Sequence, residues 1–495
     1  MSLEIVREDF TEADHARFAE RLQQSLDALA DLLAQQGFGA GPATLGAELE
    51  LCLVDPAGRP LPVNRSVLAA AVDPRVSLEI DRFNLEVNAR PVPLAGSAFT
   101  ALRGELTDAL DAIDGAAAAH GGRSITIGIL PTLTRDDLRP GMLTDSQRYR
   151  ALSAGIRRLR HEPFRIRIDG DDPLDVACED VTFEGANTSL QIHLRVAPGE
   201  FAATYNAAQI ATAPVLAASG NSPLFLGHRL WEETRVALFR QAVDERIAAA
   251  EEDWRPARVS FGHGWVREGA LGLFAESVVL HPPLLPLVGA EDPAACVRRG
   301  VIPALEELRL HHGTVWRWNR AVFDSSAGGH LRIELRALPA GPSAVDMAAN
   351  AAFLIGLTLG LAPDARRLVS ALTFGQARRN FYEAARRGLD AELLWPASAA
   401  PSPRSVHAAK LVPELLSVAR GALVESGLDA AEVDALLAVI AARVATGRTG
   451  ARWQRRTLAD LERSVTRETA LRELVARYLA HAASGRPVHE WPVGG

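Results

Sequence analysis

Four separated stretches alternate between aliphatic and polar residues, the pattern of a strand with one buried face, because successive side chains point to opposite sides of a sheet. They are Ala47-Glu48-Leu49-Glu50-Leu51-Cys52-Leu53, Phe83-Asn84-Leu85-Glu86-Val87-Asn88, Leu190-Gln191-Ile192-His193-Leu194-Arg195-Val196 and His330-Leu331-Arg332-Ile333-Glu334-Leu335-Arg336. A further strand is expected at Ser124-Ile125-Thr126-Ile127-Gly128-Ile129-Leu130, closed by Pro131. Elsewhere the apolar period lengthens to that of amphipathic helices. The first helix starts at the Thr11-Glu12-Ala13-Asp14 cap and runs through Leu33 to a stop at Gly37. Others are expected at 95–120, 201–218, 230–250 and 345–360, and the end of the chain reads as helices at 405–426, 429–446 and 457–483. Strands mixed with long helices, then helices alone, predict an α+β fold on an antiparallel or mixed sheet. The Ala/Pro/Ser stretch from Ala397 to Pro403 divides it into a catalytic domain, 1–395, and a helical C-terminal extension, 396–495.

The polar slots of the four strands hold acids, amides, His and Arg. A solvated sheet face also alternates, but acids are poor strand formers and need a reason to be there. If the four stretches share one sheet, Glu48, Glu50, Glu86 and Glu334 fall on one surface with Gln191, His193 and Arg336. Carboxylates gathered in this way repel one another unless a cation sits among them. Hard oxygen ligands with one imidazole suit Mg²⁺ or Mn²⁺ better than Zn²⁺.

Composition narrows the chemistry. With 495 residues, 48% of them hydrophobic, the chain can bury a large core. A formal net charge of -8 gives no electrostatic reason to expect nucleic acid or an anionic membrane as partner. The longest apolar run, Ala351 to Ala362, falls well short of the roughly 20 residues that span a bilayer, so it reads as a buried helix. Three widely spaced cysteines form no CxxC pair, and Met1 to Glu8 has no basic-then-apolar signal pattern; both predict a cytoplasmic protein. The only lysine is Lys410, so there is no Walker A loop and no ready Schiff-base lysine. Phosphates, if handled, fall to arginine and metal ions.

Taken in order, the Glu-x-Glu strand, the Asn-Leu-Glu-x-Asn strand, the Gln-x-His strand, Asn221-Ser222-Pro223 and the Glu334-x-Arg336 strand resemble the second glutamate-cysteine ligase family. Those enzymes are ATP-dependent carboxylate-amine ligases of the glutamine synthetase superfamily. Arg148-Tyr149 and Gly388-Leu389-Asp390-Ala391 resemble further motifs, and the likeness covers roughly residues 40 to 395. The resemblance implies a bowl-shaped antiparallel sheet with surrounding helices, whose concave face holds ATP and two or three Mg²⁺ ions, with Mn²⁺ as an alternative. It makes Glu48, Glu50, Glu86, Gln191, His193 and Glu334 the metal-binding set, and Arg336 with Glu334 the phosphoryl-transfer pair. It implies amino-acid-like substrates, γ-carboxylate of glutamate and cysteine in relatives, joined through an acyl phosphate. Substrate contacts are expected from Arg148, Tyr149, Asn88, Arg235 and Arg320.

One departure stands out. Plant-type enzymes carry Arg-Thr-Cys-Thr-Val-Gln-Val-Asn where this chain has Ala186-Asn187-Thr188-Ser189-Leu190-Gln191-Ile192-His193, so an arginine contact is missing at Ala186. Arg148 and Arg235 are the expected substitutes, and the acyl donor and amine are left open. In His311-His312-Gly313-Thr314-Val315-Trp316-Arg317-Trp318-Asn319-Arg320, a strand would send the adjacent histidines to opposite faces, which argues against a metal pair. This stretch reads instead as a pocket wall with Arg320 near phosphate or carboxylate. The competing reading is a non-catalytic descendant that binds nucleotide or an amino acid; so many mutually repelling acids argue against it. A two-carboxylate hydrolase is disfavoured by the surplus of acids and by Arg336.

Overall fold

In the computed structural model, which describes residues 5, 7–160, 162–246, 255–396 and 402–493, the alternating stretches meet in one curled sheet. Its strands are β1 (Thr44–Val54), β2 (Val76–Leu78), β3 (Asn84–Pro93), β4 (Arg123–Ile125), β7 (Ser189–Val196), β10 (Asn319–Asp324) and β11 (His330–Pro339). The order is β10-β11-β7-β1-β3-β2, with β4 also on β1, and every pairing is antiparallel. Three separate hairpins join β5 (Phe164–Ile168) to β6 (Leu174–Cys178), β8 (Leu224–Phe225) to β9 (His228–Arg229), and β12 (Glu392–Trp395) to β13 (Arg404–His407). The α+β fold expected from the element pattern is observed, and its sheet is the antiparallel bowl that the family resemblance implies.

Register decides what the polar face can do. Glu50 lies opposite Glu86, Glu48 lies opposite Asn88 on one side and Gln191 on the other, and Glu334 lies between His193 and Arg320. The polar positions therefore form rows across the strands instead of scattering. On the other face, Leu190 and Ile192 pack under the helices Ala98–Ala118 and Ala344–Leu361. Each such side chain contributes about 1.5–3 kcal/mol on burial. A one-residue slip would turn the acids into that core, so the apolar face fixes the register of the acids.

The helix Ala344–Leu361 is capped by Ser343, whose side chain accepts from the Asp346 N–H, and is buried on nearly all sides. Phe201–Ser219, Ala408–Glu425 and Ala430–Thr446 surround it. The stretch Ala344–Ala371 is long and apolar enough to cross a membrane, yet 78% of its most apolar window is buried inside the fold, as the core-helix expectation requires. The last helices are tied to the sheet by polar contacts. Asn221 donates to Ala340 O (2.7 Å) and to the Tyr478 hydroxyl (2.9 Å), which itself donates to Thr126 O (2.8 Å). Arg443 pairs with Asp346 at 2.8 Å, both essentially without solvent contact.

Several element boundaries differ from the sequence pattern. The strand expected over 124–130 pairs with β1 only as far as Ile125. Beyond it Thr126 O accepts from Tyr478 and Gly128 O accepts from the Thr188 N–H, so distant groups take the bonds that a ladder would use. The helix expected over 230–250 is confined to Arg235–Ala242. The buried Glu233 carboxylate binds the Asn221 N–H and the Arg235 side chain, and the residues just before the helix form a turn with an isolated bridge from Glu233 to Ser222; residues 247–250 lie outside the described residues. The 457–483 helix is two, Gly450–Leu461 and Arg467–Ala483, the second started by a Thr466 cap. The helix expected from 405 starts at Ala408 because Arg404–His407 pairs as β13, and residues 397–401 of the Ala/Pro/Ser stretch lie outside the described residues.

Candidate active site

Over the polar face lies a cavity of about 530 Å³, walled by the helices Gln147–Leu159 and Glu306–His312. Its floor carries Glu48 and Glu50 from β1, Glu86 from β3, Gln191 from β7 and Arg336 from β11, with Arg320 from β10 beside them. The strands place these side chains by parity alone. Arg336 adds one irregularity: β11 shifts register against β7 between Leu335 and Leu338, and the Arg336 N–H turns to Trp318 O at 2.9 Å. Such bulges re-aim a side chain at the edge of a site.

Glu334, fully buried beneath the floor, clamps both arginines. Arg320 grips it with two nitrogens and Arg336 Nη1 lies 3.0 Å from Oε1. Burial works to raise the Glu334 carboxyl, but Arg320, Arg336 and His193 outweigh it and hold the carboxyl well below its ordinary range. Burial likewise pushes Glu48 up, and His193 and Arg336 more than offset this. This half of the site is an ionised acid-guanidinium lattice.

The other half is short of positive charge. Glu86 is pushed up to about 8 by burial and by the neighbouring Glu48 and Glu50. Glu184 is also raised to about 8, by burial and by Glu50, with Arg336 opposing. Glu79 is raised further by burial and by Glu86, Glu50 and Glu184. Glu50 is raised by burial against the pull of Arg336 and Arg235, even though it accepts from the Ser189 N–H (2.8 Å) and hydroxyl (2.9 Å). Glu184 gets there because Gly185 lets its short helix lie against β2's end: a Cβ at Gly185 would sit 2.4 Å from Asp81 Oδ2 and Ile80.

The donor set fits a divalent cation. Glu48, His193 and Glu334 each offer a ligand atom, all within 4.8 Å of one another. His193 is buried, and neither ring nitrogen makes an aligned hydrogen bond among the described residues, although Nε2 lies 3.0 Å from Glu48 Oε1 and 3.8 Å from Glu334 Oε1. A buried imidazole facing two carboxylates, beside a second set of crowded acids, is what hard-cation sites are made of.

Of the remaining expected residues, Arg148, Tyr149 and Arg320 line the cavity. The Tyr149 hydroxyl is engaged with Leu78 O at 2.7 Å. Gln191 is engaged at both ends, donating to Glu50 Oε1 at 2.8 Å and accepting from Arg336. Asn88 is exposed at the sheet edge and donates to Glu86 at 2.8 Å without lining the cavity. Arg235 is buried away from it, paired with Glu233 at 2.8 Å and donating to Ala337 O at 2.8 Å. Ala186 is fully buried. His311 and His312 sit on a helix, not a strand, and both face the Ser277 region, His311 Nε2 on its carbonyl and His312 Nδ1 on its hydroxyl, each at 2.8 Å. Trp316 lines the cavity, while Trp318 packs on Phe239 and Phe381. The sequence pattern missed Glu79, Glu184, Glu306 and Arg309, all of which line the cavity.

The curled antiparallel sheet with acids and arginines on its concave face is a fold shared with a solved glutamate-cysteine ligase. The chain belongs to glutamate-cysteine ligase family 2, whose family model matches residues 44–477, well past the 395 at which the motifs end. The glutamate-cysteine ligase of Francisella tularensis, solved in complex with AMP, is 11% identical and superposes with a TM-score of 0.55 over 92% of this chain and 91% of that one. A bifunctional glutathione synthetase from Pasteurella multocida is 10% identical, with a TM-score of 0.44 over 95% of this chain and 55% of that one. The ligase PafA, solved with the prokaryotic ubiquitin-like protein Pup, is 10% identical, with a TM-score of 0.38 over 88% and 72%. No curated protein matches the chain by sequence. At these identities the structural likeness is one of fold.

Proposed function

We propose that the protein is an ADP-forming ligase that joins a carboxylate, the γ-carboxylate of glutamate, to an amine, cysteine or another amino acid, through an acyl phosphate. The observation that carries this reading is a single cavity in which acids suited to divalent cations meet two arginines clamped on one buried carboxylate, Glu334. Two or three Mg²⁺ or Mn²⁺ ions, held by Glu48, His193 and Glu334 on one side and by Glu50, Glu79 and Glu86 on the other, would screen ATP and the substrate carboxylate from one another.

The chain's own part is charge placement. When a carboxylate oxygen attacks the γ-phosphorus and ADP leaves, negative charge spreads over the phosphoryl oxygens, and fixed donors favour that state. Arg336 is such a donor, immobilised by Glu334 and Gln191. Arg320 completes the guanidinium pair, and no lysine is available for the task, since Lys410 belongs to the helix Ala408–Glu425. The amine then attacks the acyl carbon, phosphate leaves, and the amide forms with loss of the amine proton. The three cysteines are free and buried, which suits the cytoplasmic setting we assign to this chemistry.

ADP release from full-length protein mixed with ATP, Mg²⁺ and a panel of carboxylates and amines tests the reading, with products weighed by mass spectrometry. An amide formed in step with ADP supports it. Nucleotide binding without turnover on any pair would mark a non-catalytic descendant.

A further inference from the structure

A second cavity, of about 710 Å³, lies away from the acid-arginine floor and shares no lining residue with the active-site cavity. Segments distant in sequence enclose it: the loop after β1, the stretch 132–135, the start of β6, the β8–β9 turn and the first turns of the helix Arg467–Ala483. Close contacts hold these walls in place. The Thr132 hydroxyl donates to Gly58 O, a Cβ at Gly58 would sit 2.7 Å from Val475 Cγ1 on that helix, and Leu226 and Gly227 both take positive φ to make the turn.

The lining combines an apolar floor with a cationic rim. Leu133, Leu174 and Leu471 are buried and form the floor, while Arg59, Arg135, Arg467 and Arg472 reach solvent around it. Four arginines against two acids in one lining reverse the sign of a chain whose formal net charge is -8. Both of those acids are already paired, Asp175 with Arg165 and Arg167, and Glu468 with Arg472. Arg59 and Arg467 have partners outside the lining, Asp55 for the first and Asp172 and Glu462 for the second. Arg135 has neither an ion pair nor a side-chain hydrogen bond among the described residues.

An anion with an apolar body is complementary to such a lining, and the volume is that of a small-molecule site. Among the described residues no Phe, Tyr or Trp lines it, so the walls suit a flexible chain better than a flat ring. We propose that this cavity is a second ligand site, for an aliphatic carboxylate whose chain lies on the leucines and whose head pairs with Arg135 at the rim. The chain would pack on the helix Arg467–Ala483 and on the segments of Leu133 and Leu174 together. This inference does not depend on the ligase reading.

Isothermal titration of the full-length protein with decanoate, hexanoate, acetate and decylamine tests it, each below the concentration at which it aggregates. Decanoate should bind at least about tenfold more tightly than hexanoate, because four more methylenes leave water. Acetate and decylamine should give no measurable binding, and Mg²⁺-ATP should leave the affinity for decanoate unchanged. Arg135 is exposed and unpaired, so its replacement leaves the fold intact. Arg135→Glu should weaken decanoate by at least about tenfold and Arg135→Lys by less, since lysine keeps the charge. Absence of decanoate binding, decylamine bound as tightly as decanoate, displacement of decanoate by Mg²⁺-ATP, or unchanged affinity in Arg135→Glu would overturn the site.

Discussion

Arg336 joins two neighbouring strands on the polar face: its Nη1 lies 3.0 Å from Glu334 Oε1 on β11 and donates to Gln191 Oε1 on β7. Gln191 in turn donates to Glu50, so one guanidinium is connected to both halves of the site. A planar fork held this way has little freedom left to lose when charge develops in front of it.

Arg336→Lys keeps the charge and loses the fork. We expect kcat for ADP formation to fall at least about tenfold with a smaller change in KM for ATP, because the interaction is made mainly in the transition state. Steady-state kinetics decide it; an unchanged kcat would place Arg336 outside the phosphoryl-transfer site.

Glu48→Gln and Glu50→Gln should each abolish Mg²⁺-dependent ADP formation and shrink the rise in melting temperature that Mg²⁺ produces. In the metal-free protein Glu50→Gln should not lower the melting temperature by much, since it removes one member of a mutually repelling group. Scanning fluorimetry with and without Mg²⁺ reads this, and an undiminished Mg²⁺ shift in both variants would exclude these acids from cation binding.

Most of this site was legible because it sits on strands. Glu48, Glu50, Glu86, His193, Glu334 and Arg336 follow from parity once Leu49, Leu85, Ile192 and Ile333 are assigned inward, and the register then sets them in rows. Glu79 and Glu184 had no such signal. One follows a three-residue strand and the other lies on a four-residue helix, too short for any period, and they meet only through the long-range approach of Gly185 to Asp81. Arg235 does not line the cavity, and nothing local in the sequence reveals that Glu233, two residues away, is buried and claims it. The stretch around His311 and His312 reads as a strand in sequence because a seven-residue helix leaves little trace there.

The C-terminal helices owe part of their attachment to Arg443, which binds Asp346 and Asn350 in the core. Arg443→Ala strands the Asp346 carboxylate in a buried site and should cost about 3–5 kcal/mol. Urea denaturation would show it as a lowered midpoint; a loss under about 1 kcal/mol would contradict the importance given to this pair.

Glu105 is held down at about 2, first by its hydrogen bonds to Arg90 and also by Arg75. Because its folded value lies below the ordinary carboxyl value of 4.5, its contribution to stability is present above that value and disappears as pH falls toward about 2. The melting-temperature gap between wild type and Glu105→Gln should therefore be full at neutral pH and narrow steadily below pH 4.5. A gap that does not change with pH would refute this.

The proposed chemistry turns on phosphorylation of a carboxylate before the amine arrives. It is tested most directly with the acid substrate labelled with ¹⁸O in its reacting carboxylate, ATP, Mg²⁺ and the amine. Attack of a labelled oxygen on the γ-phosphorus and later loss of phosphate must carry that oxygen away. We predict one ¹⁸O in each inorganic phosphate released as amide forms, with ADP as the nucleotide product; label absent from phosphate, with AMP in place of ADP, would contradict the account.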